Sequence, residues 1–215
     1  MTFFVETKGG VASVRRNDET RVRDGRAVFF LAALTFGVVT VPLAKGRLGT
    51  LGELRLRWGP ALLSAVAMQA VILFIIPNRF SGVHEPLHVV SYILIGVFVA
   101  ANLRVAGMWL IAFGGLCNAA VIVLNGGVMY VRKSALEIVG LYPLPEGFLN
   151  ASVMEHPRLS FLGDIFPVPP LHTVVSLGDI LIAIGAVVLI HGVCGSRLIP
   201  AVSRALRHSA VVLRG

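Results

Sequence analysis

Two aspartates are the residues of this sequence best placed to do chemistry. Asp164 and Asp179 each stand in the tetrapeptide Leu-Gly-Asp-Ile, fifteen residues apart, beside a proline-rich link. Placing a carboxylate within a membrane costs free energy, so each of these aspartates is a candidate functional residue. Brought together, the two could hold a divalent ion or share one proton through mutual repulsion. The alternative for Asp179 is structural, with its carboxylate at the positive N-terminal end of the following helix.

Three further polar residues lie in apolar surroundings. Asn118 and Asn125 are seven residues apart and therefore share a helix face, which indicates either close helix packing in lipid or the lining of a polar cavity. His88 could ligate a metal or relay protons, although a lone histidine of this kind is more often simply hydrogen-bonded. The candidate polar site thus comprises Asp164, Asp179, Asn118, Asn125 and His88.

Signatures of enzymes and of cofactor sites are missing from the sequence. It has no glycine-rich phosphate loop, no Gly-x-Ser-x-Gly elbow and no His-Glu-x-x-His motif. Its cysteines, Cys117 and Cys194, lie within apolar runs and are interpreted as packing residues. We therefore assign no catalytic residue, metal or cofactor, and the sequence favours a non-enzymatic protein.

The elements that carry these residues must be embedded in lipid. The chain is 56% hydrophobic and only 14% charged, with a mean hydropathy of +0.83, whereas soluble domains carry about 25% charged residues. The net charge of +8 lies mainly between apolar runs. It is therefore better explained by membrane topology and anionic headgroups than by nucleic-acid binding.

Five apolar runs approach the roughly 20 residues that a membrane-spanning helix needs. They predict an all-α integral membrane protein, with a five-helix transmembrane domain over residues 27–196. The runs are continuously apolar, which excludes the alternating polarity of barrel strands. The predicted helices cover residues 27–44, 58–77, 87–103, 105–125 and 173–196.

The rest of the chain forms one loop and two tails. The loop 126–172 is rich in proline and glycine but poor in charge, so it either dips toward the membrane as a re-entrant loop or packs over the bundle. Residues 134–141 within it predict a short interfacial helix. Residues 1–26 form a polar, basic tail, and residues 197–215 form a basic amphipathic tail suited to an anionic leaflet.

The distribution of basic residues predicts the orientation. Nine lie on the side of the first loop and the C-terminus, against four on the other side, which places the first loop and C-terminus in the cytoplasm. Six basic residues of the N-terminal tail oppose this assignment. The alternatives are a reversed orientation, a tail translocated against the bias, or translation starting nearer Val22, and we favour the last.

Several motifs taken in order carry a family resemblance. His88 to Tyr92 opens the third helix, the turn 102–104 follows, the phrase Asn-Gly-Gly-Val-Met ends at Met129, and the two Gly-Asp phrases come last. Over roughly residues 27–196 this order resembles the bacterial membrane-protein family named domain of unknown function 5317. Tyr130 stands where family members usually have proline, and family members tend to start close to the first helix. The resemblance implies a bacterial inner-membrane location and carries no known activity.

Two functional hypotheses follow. The first is a non-enzymatic accessory or scaffold component whose polar residues hold a compact bundle. The alternative is a small transporter, channel or membrane-embedded enzyme that handles a cation, a proton or a lipid headgroup through the Asp/Asn site. The expected partners are the lipid bilayer, anionic headgroups at the C-terminal tail, and a protein partner or second copy of the chain.

Overall fold

The computed structural model describes residues 8–54, 56–74, 81–142 and 151–198, with side chains described from residue 25 onward except at 69–70, 72–74 and 81–89. Over these residues the protein is mostly helical. Its helices are α1 (Lys8–Leu43), α2 (Gly59–Phe74), α3 (Ser81–Ala101), α4 (Met108–Leu124), α5 (Lys133–Val139) and α6 (Leu177–Val193). Short 3₁₀ turns cover Leu48–Glu53, Ser160–Leu162 and Pro169–Leu171.

Each predicted transmembrane helix corresponds to one observed helix, but four starts are shifted. Helix α3 begins six residues before its predicted start, and α4 begins three residues after it. Helix α1 begins at Lys8, inside the predicted polar tail, because that stretch is rich in arginine and other residues that tolerate a helix well. Helix α6 begins at Leu177, four residues after the predicted start at Thr173, because Thr173–Ser176 form a strand instead. The predicted basic C-terminal tail lies almost wholly outside the described residues.

Helix length and apolar content together identify fewer candidate membrane spans than the sequence predicted. Among the described residues, one helical segment, Gly25–Leu43, is long and apolar enough to cross a membrane, and only 11% of it is buried within the protein. The other apolar helical stretches are shorter, at Gly59–Met68, Val90–Ala101, Met108–Leu124 and Leu177–Val193. A bundle of five spans therefore goes beyond what the lengths of the described helices establish.

The expectation of an all-α chain is wrong between α4 and α6, where four short strands occur. Strands β1 (Met129–Tyr130) and β2 (Ala151–Ser152) pair in parallel, whereas β3 (Asp164–Val168) and β4 (Thr173–Ser176) form an antiparallel hairpin. The hairpin strands are rich in valine, isoleucine, phenylalanine and threonine, which favour a pleated, half-buried surface. Residues 173–176, whose apolar character predicted a helix, therefore form part of a strand instead.

The long predicted loop has a core of its own. Helix α5 lies one to two residues from the short helix predicted at 134–141, and it ends at Gly140, whose left-handed φ of 73° caps the helix. The α5 side chains pack with residues from the neighbouring strands and turns. The buried apolar cluster comprises Val131, Ala135, Leu136, Val139, Leu141, Ala151 and Val174. The segment is therefore a small folded unit with strands and a core, rather than an irregular loop.

The chain divides into two compact units, each described separately below. Unit A comprises Met1–Phe36 and Phe113–Ile184, and unit B comprises Gly37–Ala112 and Gly185–Gly215. Unit A contains the β3–β4 hairpin, α5 and their apolar cluster. In unit B, α2 packs against α3, and Val41, Ile190 and Cys194 form a small buried cluster.

A histidine holds the end of α6 in unit B. His191 is fully buried, and its ring nitrogens hydrogen-bond the hydroxyls of Thr40, at 2.9 Å, and Ser196, at 2.7 Å. Both polar atoms of the ring are therefore satisfied, as a buried imidazole requires. His191 thus joins α1 to the turn that follows α6.

Candidate polar site

The start of α6 in unit A is a reciprocal capping arrangement. The backbone N–H of Asp179 donates to Oγ of Ser176 at 2.9 Å, and the backbone N–H of Ser176 donates to Oδ2 of Asp179 at 3.1 Å. A serine at the N-cap and an acid three residues later satisfy two N–H groups that the first turn of a helix leaves free. Asp179 therefore carries out the structural role that the sequence offered as its alternative.

Asn118 of α4 closes this arrangement into a ring. Its Nδ2 donates to Oδ1 of Asp179 at 2.9 Å, and its Oδ1 accepts a bond from Oγ of Ser176 at 2.8 Å. The amide lies directly over Gly178, where any Cβ would collide with it. Asn118, Ser176 and Asp179 thus satisfy one another, and both oxygens of the Asp179 carboxylate are bonded.

Asp164, the first residue of β3, forms a buried ion pair with Arg26 in the middle of α1. Nη2 of Arg26 donates to Oδ2 of Asp164, whose side chain is fully buried, whereas the Arg26 side chain is 34% exposed. Gly25 permits this approach, because a Cβ there would collide with the carbonyl oxygen of Leu171 and lie 2.9 Å from Cβ of Thr173. The hairpin and α1 therefore meet at an ion pair.

The two carboxylates interact electrostatically. The pKa of Asp164 is raised to about 6. Burial is the largest cause, the negative charge of Asp179 adds to it, and the guanidinium of Arg26 acts in the opposite direction. Asp164 also faces Ser176 across the hairpin, three residues before Asp179. Arg26 interacts with both carboxylates, so the three residues form one charged cluster.

Three buried polar atoms around this cluster have no hydrogen-bond partner among the residues that the structure describes. They are Oδ1 of Asp164, Nε of Arg26 and Oγ1 of Thr173. The Arg26–Asp164 pair is therefore monodentate, since a forked pair would use both carboxylate oxygens. Buried polar atoms are nearly always paired, so this group stands out from its surroundings.

Comparison with known protein families identifies the family of this chain. It matches the family of unknown function DUF5317 over residues 53–191, well over half of its 215 residues. The chain belongs to DUF5317. The resemblance predicted from the order of motifs is thereby confirmed. Searches of curated proteins and of solved structures gave no match.

The candidate residues of this DUF5317 protein fall into separate places. Asp164, Asp179 and Asn118 lie in the connected network of unit A. Asn125 binds elsewhere, exchanging two hydrogen bonds with the backbone of Arg158 at 2.9 and 2.8 Å. His88 belongs to α3, but its side chain lies outside the described residues.

Sequence reasoning missed two members of the network in this DUF5317 protein. Arg26 was counted as the last residue of the basic tail, although a lone arginine at the edge of an apolar run is a natural partner for a buried carboxylate. Ser176 is absent from the predicted site, although the spacing Ser-x-x-Asp before an apolar run is itself a capping signature. Arg26 lies outside the matched stretch 53–191, whereas both carboxylates lie inside it.

A resident metal has little support from this geometry. Within the described parts of the chain, no three His, Cys, Asp or Glu residues are grouped so that they could hold a metal ion. Next to Asp164, the guanidinium of Arg26 already supplies the positive charge that a divalent ion would bring. The arrangement is suited to fixing α1, α4, the hairpin and the start of α6 within unit A.

Proposed function

We propose that this DUF5317 protein is a multi-pass bacterial inner-membrane protein that works as a non-enzymatic accessory or scaffold component. The observation that supports this proposal is the hydrogen bonding and ion pairing of the polar residues in unit A with one another. Asn118, Ser176 and Asp179 bond one another, and Asp164 pairs with Arg26. Groups engaged in this way hold helices together, whereas a transport or catalytic site needs groups that are free to meet a substrate.

Outward-facing apolar side chains support the membrane assignment. Large exposed apolar surfaces mark contact with lipid or another protein. On α1 the exposed large apolar residues are Val28, Leu31, Leu34, Phe36, Val38, Val39 and Leu43. On α4 they are Trp109, Phe113, Leu116, Val123 and Leu124. The helix segments that carry these two sets do not have the polar face of comparable size that a helix in water would have.

Four of the five helices proposed to cross the bilayer reach the length that a crossing needs, and α2, with 16 residues, is just below it. Helix α3 has 21 residues and is about 30 Å long, of which Val90–Ala101 is the apolar part. Helices α4 and α6 have 17 residues each, or about 25 Å, at the lower end of the range for spanning helices. In this proposal α1, α2, α3, α4 and α6 each cross the bilayer once, with the first loop and the C-terminus in the cytoplasm.

Single-cysteine labelling tests the topology. In a chain with Cys117 and Cys194 changed to alanine, one cysteine is introduced at Gly49, Asn78, Arg104 or Glu155, and intact cells are treated with a membrane-impermeant maleimide. Five crossings predict labelling only at Asn78→Cys and Glu155→Cys, with Gly49→Cys and Arg104→Cys labelled after lysis. The opposite alternation would reverse the orientation, and a pattern that fails to alternate would remove at least one crossing.

Ligand-dependent unfolding tests the scaffold assignment. The purified protein is heated at one fixed pH with divalent cations or with phospholipid and polyprenyl-phosphate headgroups, beside Asp179→Asn. A ligand that binds only the folded protein raises the midpoint by mass action. The proposal predicts a flat response in both proteins, with a lower midpoint for Asp179→Asn. A rise that Asp179→Asn abolishes would favour a transporter or enzyme instead.

A further inference from the structure

We propose that Oδ1 of Asp164 is a proton-binding site, where the buried cluster of Arg26, Asp164 and Asp179 takes up a single proton. This inference goes beyond the scaffold role and does not rest on it, because it needs only contacts within unit A. Arg26 is paired with Asp164 and acts electrostatically on Asp179, so the ionised cluster has two negative charges against one positive charge. Burying a net charge costs free energy, and a proton is the smallest ligand that neutralises this one.

The free oxygen shows where the proton goes. Oδ2 of Asp164 accepts the bond from Arg26, whereas the buried Oδ1 has no donor within the described part of the chain. An ionised oxygen in that position loses its hydration and gains nothing in return. A proton taken from water forms an O–H bond at Oδ1 and leaves the Arg26 contact at Oδ2 in place. Arg26 stays charged, and Asp179 then balances it.

The elements packed around Asp164 supply two charged groups that act on its carboxyl, Arg26 and Asp179. Strand β4, its hairpin partner, has no ionisable side chain. Helix α5 packs against β3 and carries Lys133 and Glu137, which are exposed and paired with each other at 3.8 Å. Arg132 reaches Asp164 only through its backbone N–H, and Tyr130 lies against Gly163. The charges that act on the carboxyl are therefore Arg26 from α1 and Asp179 from α6.

A metal cation fits this position less well than a proton. A cation at Oδ1 would sit near the guanidinium of Arg26 and be repelled by it. It would also need several oxygen ligands, whereas both oxygens of Asp179 are occupied by Asn118 and Ser176. A proton needs one oxygen only. The raised pKa of Asp164, about 6, is consistent with this choice.

Infrared spectroscopy of the full chain in detergent measures the proton directly. As the pH is lowered through about 6, a protonated-carboxyl C=O band is expected to appear, and ¹³C labelling of aspartate should shift it. Asp164→Asn should remove the band. The titration midpoint should fall by about one pH unit in Asp179→Asn and rise by about one in Arg26→Gln, because these remove a like charge and an opposite charge.

The variants keep the proposal open to refutation even if Asp164→Asn does not fold. The wild-type titration and the two shifts of opposite sign need no change at Asp164. A band that is insensitive to aspartate labelling, or a midpoint that neither Asp179→Asn nor Arg26→Gln moves, would overturn it. So would a wild-type midpoint that falls when Na⁺ or Ca²⁺ is added at constant ionic strength, since that result would identify a cation site.

Discussion

Asn102 and Asn125 make the same three hydrogen bonds at the ends of two different helices. Asn102 follows α3, and its side-chain amide pairs with the backbone N–H and carbonyl of Arg57 at 2.9 and 2.8 Å. Asn125 follows α4 and pairs in the same way with Arg158 at 2.8 and 2.9 Å. In both, Nδ2 also donates to the carbonyl four residues earlier, at 2.7 Å for Asn102 and 2.8 Å for Asn125. Each amide thus caps a helix and fixes a distant segment.

The two asparagines should differ in how much they stabilise the protein. Asn102 is 3% exposed, so Asn102→Ala removes bonds shielded from water, including the buried one to the carbonyl of Phe98, and should cost about 1–3 kcal/mol of unfolding free energy. Asn125 is half-buried, and water can replace its bonds, so Asn125→Ala should cost about 0.5–1.5 kcal/mol. Chemical unfolding of the purified protein measures both. Equal costs would contradict the role of burial.

Adjacent glycines in α4 provide a matched pair for helix packing. A Cβ on Gly114 would lie 2.5 Å from the carbonyl oxygen of Gly178, whereas one on Gly115 would meet nothing within 4 Å. We expect Gly114→Ala to destabilise the protein by about 1–3 kcal/mol through overpacking. Gly115→Ala should stabilise it by about 0.5–1 kcal/mol, since alanine favours a helix. Unfolding midpoints of the two variants decide the matter, and similar midpoints would refute the close contact.

Ser176→Ala tests the cap of α6. The change removes the acceptor for the N–H of Asp179 and the donor to Asn118, and it should cost about 0.5–2 kcal/mol. Ser152→Ala is the control, because that hydroxyl reaches only the adjacent carbonyl of Val153. Hydrogen exchange should show faster opening of the first turn of α6 in Ser176→Ala alone. Unchanged exchange there would argue against the capping role.

Stability should fall as the pH rises through the range in which Asp164 ionises. The pKa of Asp164 is raised from 3.8 to about 6 in the folded protein, so the folded state holds the proton more tightly than the unfolded state between these values. The stabilisation is therefore present below about pH 4 and lost above about pH 6, a change of about 3 kcal/mol.

Two variants check that pH dependence. Asp164→Asn cannot ionise, so this component of the pH dependence should disappear. Glu155→Gln removes an exposed carboxylate and should leave the dependence unchanged. Denaturant unfolding from about pH 4 to pH 7 measures all three proteins. A wild-type stability that rises steadily over that range would contradict the expected sign.

The sequence predicted the helices better than the contacts between them. Continuous apolar runs locate α2, α3 and α4, because each apolar side chain in such a run contributes to the same helix. The start of α6 was misplaced at Thr173, because apolar content does not distinguish a buried strand from a helix. The spacing of Ser176 and Asp179 indicates the true start of α6, because Ser-x-x-Asp is a helix-capping signature.

The charged cluster was only partly predictable. The repeated Gly-Asp phrase drew attention to Asp164 and Asp179, but their interaction depends on the β3–β4 hairpin, which no local pattern fixed. The pairing of Arg26 with Asp164 joins residues 138 positions apart, and such contacts are set by packing. For His88, the described residues give no side-chain geometry to compare with the expectation.

Ser176 ends β4 opposite Asp164 and also caps α6. One added or lost residue in the hairpin would move this serine out of at least one of these two positions, and would turn the neighbouring side chains to the opposite face. Insertions and deletions within this segment are therefore expected to be rare. Among homologues, we expect gaps in alignments to collect outside residues 164–179, and the spacing of the two aspartates to stay constant while the residues between them change.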